Sequence, residues 1–261
     1  MTPEPEDTLL DLALTGNVAQ MRTLLMTSEE QPSEITIQHL LIVAVKRSDI
    51  GVVELLLEQY PLVTLNEEIV RGAANTGSIP IFEILLARDP SIINMPFDTR
   101  GSPLIVACMG RQTTEYLKFL LEAGADPNQD PDVATYPLAL VAALYHDPDV
   151  IDLLLRHGAR LEHSGSLAAA ARLGNEPMIR RLLDRGARLD HDGYSLGART
   201  SPLHVAVESG RIGVVRILLR HGADPAVTDA SGATAIDVAR QMKFKGQDMS
   251  QMLRILGEGE T

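Results

Sequence analysis

The feature that most constrains this chain is that it repeats itself. Ser201-Pro-Leu-His-Val-Ala-Val207 is followed by Val214-Val-Arg-Ile-Leu-Leu219 and then His221-Gly-Ala-Asp-Pro225. The same order occurs earlier, in Ser102-Pro-Leu-Ile-Val-Ala-Cys108, Tyr116-Leu-Lys-Phe-Leu-Leu121 and Gly124-Ala-Asp-Pro-Asn128. Tyr136-Pro-Leu138 leads to Leu153-Leu-Leu155 and Gly158-Ala159, and Ser166-Leu-Ala-Ala-Ala-Ala171 leads to Arg181-Leu-Leu183 and Gly186-Ala187. Apolar anchors of the leading segment fall at Leu9, Leu41, Val70, Leu104, Leu138, Leu167, Leu203 and Ile236, spaced by 32, 29, 34, 34, 29, 36 and 33 residues. A unit this short cannot bury its own apolar face, so such a chain must stack its units side by side.

Each unit reads as two helices. Ser102, Ser201 and Thr234 stand where a first helix needs a cap, and Pro103 and Pro202 follow at the first helical position, where a missing N–H costs nothing. Gly16-Asn17, Gly77-Ser78 and Gly174-Asn175 mark the turn between the two helices. Second helices end in Leu-Leu pairs, and a Gly-Ala step after four of them predicts a C-cap. Small inward residues, such as Ala73-Ala74, Ala107-Cys108 and Ala168 to Ala171, let neighbouring pairs lie close together.

The spacing and the Ser-Pro-Leu-His-x-Ala element make the chain resemble the ankyrin-repeat family over nearly its whole length, most clearly at Leu104, Leu138 and Leu203. The resemblance implies an all-α solenoid of stacked helix-turn-helix units with short β-turn fingers. On that reading residues 1–261 form a single stand-alone domain of about eight units, the first and last serving as caps. The acidic residues 4–11 and the Gly257-Glu-Gly-Glu-Thr261 tail suit polar ends. Two fingers depart from the pattern. Arg160 to Gly165 is too short for a full hairpin, and Arg188 to Arg199 is longer than the norm. In the last unit Gln241-Met-Lys-Phe-Lys-Gly-Gln-Asp248 inserts residues between the helices.

Charge and composition narrow the function. The net charge is −12, and residues 1–70 hold twelve acidic and three basic side chains. Such a chain repels phosphate backbones, so nucleic acid is not expected as a partner. The aromatic share of 3%, with no Trp, also leaves few rings for base stacking. No run approaches the roughly 20 apolar residues of a membrane span, and Met1 to Asp7 lacks the basic and apolar regions of a signal peptide. The single cysteine, Cys108, cannot form an internal disulfide. A cytoplasmic or nuclear monomer is the expectation.

Catalytic constellations are not visible. The histidines at 157, 204 and 221 recur at repeat spacing, which marks scaffold, and no His-x-x-x-His or Cys-x-x-Cys ligand pair occurs. No metal, no cofactor and no catalytic residue is therefore expected, and Cys108 reads as a small core hydrophobe. Asn128 matches the family's finger-closing asparagine, which in some members is hydroxylated; here a structural role is expected.

The resemblance implies binding of another protein through the inner face of the first helices and the fingers. The inner positions just before each inter-helix turn read Leu14/Thr15, Lys46/Arg47, Asn75/Thr76, Met109/Gly110, Ala143/Leu144, Arg172/Leu173 and Glu208/Ser209. Units four to six are apolar there, with charge on either side, as a protein-binding patch would be. The candidate contacts are Met109, Tyr136, Leu144, Arg172, Leu173, Tyr194 and Arg199; Tyr and Arg are common binding anchors. Two readings of Leu144 and Leu173 stand: they face the partner, or they tuck under the next helix. Two other functions are kept. One is an enzyme or small-molecule binder in a stepped groove between units five and seven, using His163, His191, Asp192 and Tyr194. The other is a regulator whose acidic N-terminal end meets a basic surface.

Overall fold

Helix signals in this chain come in pairs, and so do the helices. The computed structural model describes residues 5–28, 31–98, 101–129, 135–189 and 200–257. It divides into two compact units, Met1–Ala125 and Asp126–Thr261. The first unit holds Pro5–Thr15 (α1) with Val18–Thr27 (α2), Glu34–Lys46 (α3) with Ile50–Gln59 (α4), Glu67–Thr76 (α5) with Ile79–Arg88 (α6), and Pro103–Met109 (α7) with Thr114–Glu122 (α8). A 3-10 turn, Pro90–Asn94, follows α6. The second unit holds Pro137–Leu144 (α9) with Asp149–Arg156 (α10), Ser166–Leu173 (α11) with Glu176–Asp184 (α12), Pro202–Glu208 (α13) with Ile212–Arg220 (α14), and Ala235–Phe244 (α15) with Ser250–Ile255 (α16). The described residues contain no named strand, only an isolated bridge between Thr228 and Thr234.

Within each unit the first helices form one layer and the second helices another. In the first unit α1, α3, α5 and α7 pack in sequence, backed by α2, α4 and α6; in the second, α9, α11, α13 and α15 are backed by α10, α12, α14 and α16. Seven of the eight expected anchors are buried, from Leu41, Val70, Leu104 and Leu167 at 0% to Leu9 at 3% exposure. Each such side chain contributes about 1.5–3 kcal/mol. Ile236 is the exception: it is half-buried, and its neighbour Ala235 is the fully buried residue. As part of the last pair, α15 packs on a first helix on one side only.

The turns work as the residue types require. Gly16, Gly77 and Gly174 have φ of 71°, 67° and 77°, in the left-handed region. After the second helices, Ala125, Ala159, Ala187 and Ala223 donate their N–H to the carbonyls of Leu120, Leu154, Leu182 and Leu218 at 2.9–3.0 Å, closing each helix as the Gly-Ala steps predict. Thr234 and Asp237 make a reciprocal capping box. Ser201 caps α13 through the His204 N–H, whereas the Ser102 side chain makes no capping bond at α7.

The early units carry no Ser-Pro-Leu-His element because their first helices begin further upstream. Helices α1, α3 and α5 run for 11, 13 and 10 residues, against 7 for α7 and α13. Neighbouring pairs are also clasped by polar side chains at the start of a second helix that reach back to the end of the preceding first helix. Gln112 Nε2 donates to Asn75 O at 2.6 Å, and Arg211 Nε to Arg172 O at 3.0 Å. Asn175 Nδ2 donates to Ala142 O at 3.1 Å and Tyr145 O at 2.6 Å. Outside, Arg185 meets Asp152 through two bonds of 2.8–2.9 Å, and Arg181 joins Asp152 and Asp149. Burial pushes the Asp152 carboxyl up, but Arg185 and Arg181 outweigh it and hold the group below the usual aspartate range.

Candidate functional site: the turn-side row of the first helices

The end of each first helix is where a side chain can be rigidly held yet reach solvent. At α5, α9 and α11 the last carbonyls are clasped by the next pair, while residues at the helix end reach solvent. In the second unit, Leu173 closes α11 with 48% of its surface exposed. Arg172 beside it is exposed, and its carbonyl is pinned by Arg211. Leu144 ends α9 and is half-buried, as is Ala143. The two ends are neighbours, because Asn175, just after α11, bonds the carbonyls of Ala142 and Tyr145 around Leu144. Glu208, at the matching place on α13, is exposed and supplies the charged flank.

Of the two readings for the leucines, Leu173 does not tuck under a neighbouring helix, and Leu144 does so in part. Tyr136 lies elsewhere on the same helix. It is the half-buried residue before Pro137, at the opposite end of α9 from Leu144. An eight-residue helix separates the two by about 12 Å. Met109 belongs to the first unit, where it ends α7 with 61% exposure. Lys46 and Arg47 are exposed at the corresponding end of α3, with Lys46 Nζ 2.9 Å from Glu68. The lysine's hydrogen bond and charge hold the Glu68 carboxyl below its ordinary value. Tyr194 and Arg199 lie outside the described residues, together with the rest of 190–199.

His204, His221, Asn128 and Cys108 have structural surroundings. His204 is 1% exposed, with Nδ1 2.8 Å from Ser201 Oγ and Nε2 3.0 Å from Ala233 O, so it joins its own helix cap to the next link. His221 Nδ1 lies 2.8 Å from Ile217 O. Asn128 bridges its finger, donating to Gly158 O and accepting from Arg160 N–H, both at 2.8 Å. Cys108 is fully buried and its thiol is pushed up to about 12, which removes the thiolate that nucleophilic chemistry needs. Tyr116 is likewise raised by burial, packed edge-on to Phe82 with ring centres 6.2 Å apart. Among the described residues no group of three or more His, Cys, Asp or Glu could hold a metal ion. Of the stepped-groove residues, His163 is exposed in the short link, while His191, Asp192 and Tyr194 lie outside the described residues. No described helix is long and apolar enough to cross a membrane.

The most exposed of the apolar side chains that the repeat pattern did not single out are Met26, Ile35, Leu62 and Phe244, at 66%, 66%, 91% and 95% exposure. None recurs from unit to unit, and so a reading based on recurrence passes over them. The available signal was local: Leu62 follows Tyr60-Pro61 in a link, and Phe244 stands between two lysines in the inserted segment.

Comparison with known proteins agrees with the fold. A family model for ankyrin repeats in three copies matches residues 138–229, and one for a single ankyrin repeat matches residues 101–131. The chain is 30% identical over 159 residues to the palmitoyltransferase Hip14 of Drosophila melanogaster, covering 59% of this chain and 19% of the relative. It is 43% identical over 44 residues to zygote-specific protein 3 of Chlamydomonas reinhardtii, covering 17% of this chain and 12% of the relative. The chain thus spans less than a fifth of the length of either relative. With recurrent helix pairs, Gly-Ala closures and family matches over residues 101–131 and 138–229, that part of the chain is built of ankyrin repeats.

Proposed function

We propose that this chain is a protein-interaction adaptor, and that the turn-side row of its second unit is a partner-binding surface. The observation that supports it is Leu173, a large apolar residue half in solvent on a clasped helix end, with Leu144 beside it and Arg172 and Glu208 around it. Preorganised apolar surface with a charged rim is what a partner can bury without first ordering the chain. Met109 offers the same kind of contact on the first unit, and Tyr136, Tyr194 and Arg199 are the further contacts proposed from the sequence. The reading requires no cofactor and no catalytic group. It places the protein in a reducing intracellular compartment, in keeping with its one buried thiol. The acyl-transfer activity in the name of the Drosophila relative is not carried over, because most of that protein has no counterpart here.

The test is quantitative affinity capture from native lysate with the wild type, Leu173→Asp alone, and Leu144→Asp with Leu173→Asp. Leu173 is exposed enough that its replacement leaves circular dichroism unchanged. Loss of one captured protein with both variants supports the row. Retention of every captured protein overturns it.

A further inference from the structure

The first unit carries an apolar cavity of about 340 Å³ at its finger side, formed by Pro32, Ile37, Tyr60, Pro61 and Leu62 with the carboxylate of Glu34 at its edge. Tyr60 is fixed by a 3.2 Å hydrogen bond from its hydroxyl to Gln31 Oε1, and Glu34 by one of 3.1 Å from the Thr64 N–H. The Thr64 side chain first, and its N–H in addition, hold the Glu34 carboxyl below its ordinary value. A cavity of about 150 Å³ suffices to hold benzene, so this one admits an aromatic side chain. It sits in the most acidic part of the chain, where residues 1–70 hold twelve acidic and three basic side chains. The ligand it suits is thus an exposed ring between cations.

The same chain presents that feature. Phe244 ends α15 with 95% of its surface exposed, flanked by Lys243 and Lys245, both exposed, with Arg240 one turn earlier. Asp248 is the nearest acid in sequence, and its carboxyl is held low by Ser250 first and by Lys243 in addition. The ring is presented on a closed helix end, since Gly246 N and Gln247 N bond back to Lys243 O and Met242 O at 3.0 and 3.1 Å. The repeat scaffold has no need of this segment, which is an insertion confined to the last pair. Nor does a fully exposed phenylalanine stabilise the fold.

We infer that the Lys-Phe-Lys end of α15 in one copy docks into the Pro32–Leu62 cavity of a second copy, giving head-to-tail self-association. This proposal differs from the monomer expected from sequence and is independent of the turn-side row. The contact is heterologous, so a pair of copies keeps one free knob and one free socket between them.

Sedimentation velocity over a concentration series up to about 1 mM tests it. The wild type should associate, more strongly at low salt than at high salt. Phe244→Asp and Leu62→Asp, both at exposed positions, should each weaken association at least about tenfold with unchanged circular dichroism. Mixed together, the two variants keep one intact knob and one intact socket between them, and should form a one-to-one dimer that grows no further. Leu173→Asp should associate as the wild type does, which separates this contact from the row. A wild type that stays monomeric throughout, association that survives either variant, or variants that fail to pair on mixing would each overturn the proposal.

Discussion

Replacing Asn175 by alanine removes the clasp between the first and second helix pairs of the second unit. Asn175 is 8% exposed and its amide serves two carbonyls, Ala142 O at 3.1 Å and Tyr145 O at 2.6 Å. Both lie at the end of α9, where no further turn of helix can satisfy them. Each bond contributes about 1 kcal/mol, and a carbonyl left dry costs somewhat more, so the expected loss is about 2–3 kcal/mol. Asn128→Ala is the comparison. It also removes two hydrogen bonds, but from a half-buried finger residue whose partners can turn to water, and should cost about 1 kcal/mol. Urea titration followed by circular dichroism reads both. A lowered midpoint at constant slope reports the lost stability, whereas a changed slope would mean that part of the stack had come apart first. Equal costs for the two variants would refute the argument that burial, rather than the number of bonds, sets the loss.

Two further perturbations follow from the same structure. Asp152→Asn breaks the contacts to Arg185 and Arg181 and should cost of order 1 kcal/mol or less at neutral pH, since Arg185 is half exposed. Because the folded Asp152 carboxyl is lowered, its contribution is complete above the ordinary aspartate value of about 3.9 and is lost as pH falls through the lowered one. The asparagine variant should show a flatter loss of stability below about pH 4 in urea midpoints; an identical acid limb would contradict the pairing. Arg111→Gly should raise stability by about 1 kcal/mol, because Arg111 holds φ of 52° where the comparable turns at 16, 77 and 174 use glycine. A lower midpoint would show that the side chain does more for the fold than its backbone costs.

The scaffold was legible because it recurs. Glycine at several turns, Gly-Ala at four closures and leucine at six of the eight anchors state the same physical requirement several times, and Leu104, Leu138, Leu167 and Leu203 are buried as read. Ile236 shows where recurrence misleads: in α15 the fully buried residue is the neighbouring Ala235, and the position that matches the other anchors keeps some solvent. The row was legible in part. Counting back from the turn finds Leu173 and Leu144 together, but cannot tell that Leu144 is half-covered or that Tyr136 sits at the far end of its helix. The cavity and Phe244 were passed over because each occurs once, at a link and at an insertion, where no second copy of the pattern separates a contact from drift.

Hydrogen–deuterium exchange of the protein alone and with its captured partner tests the central claim most directly. Covering Leu144 and Leu173 should slow exchange at the ends of α9 and α11, residues 140–147 and 169–175. Protection confined to the second helices α10, α12 and α14, with those ends unchanged, would contradict it.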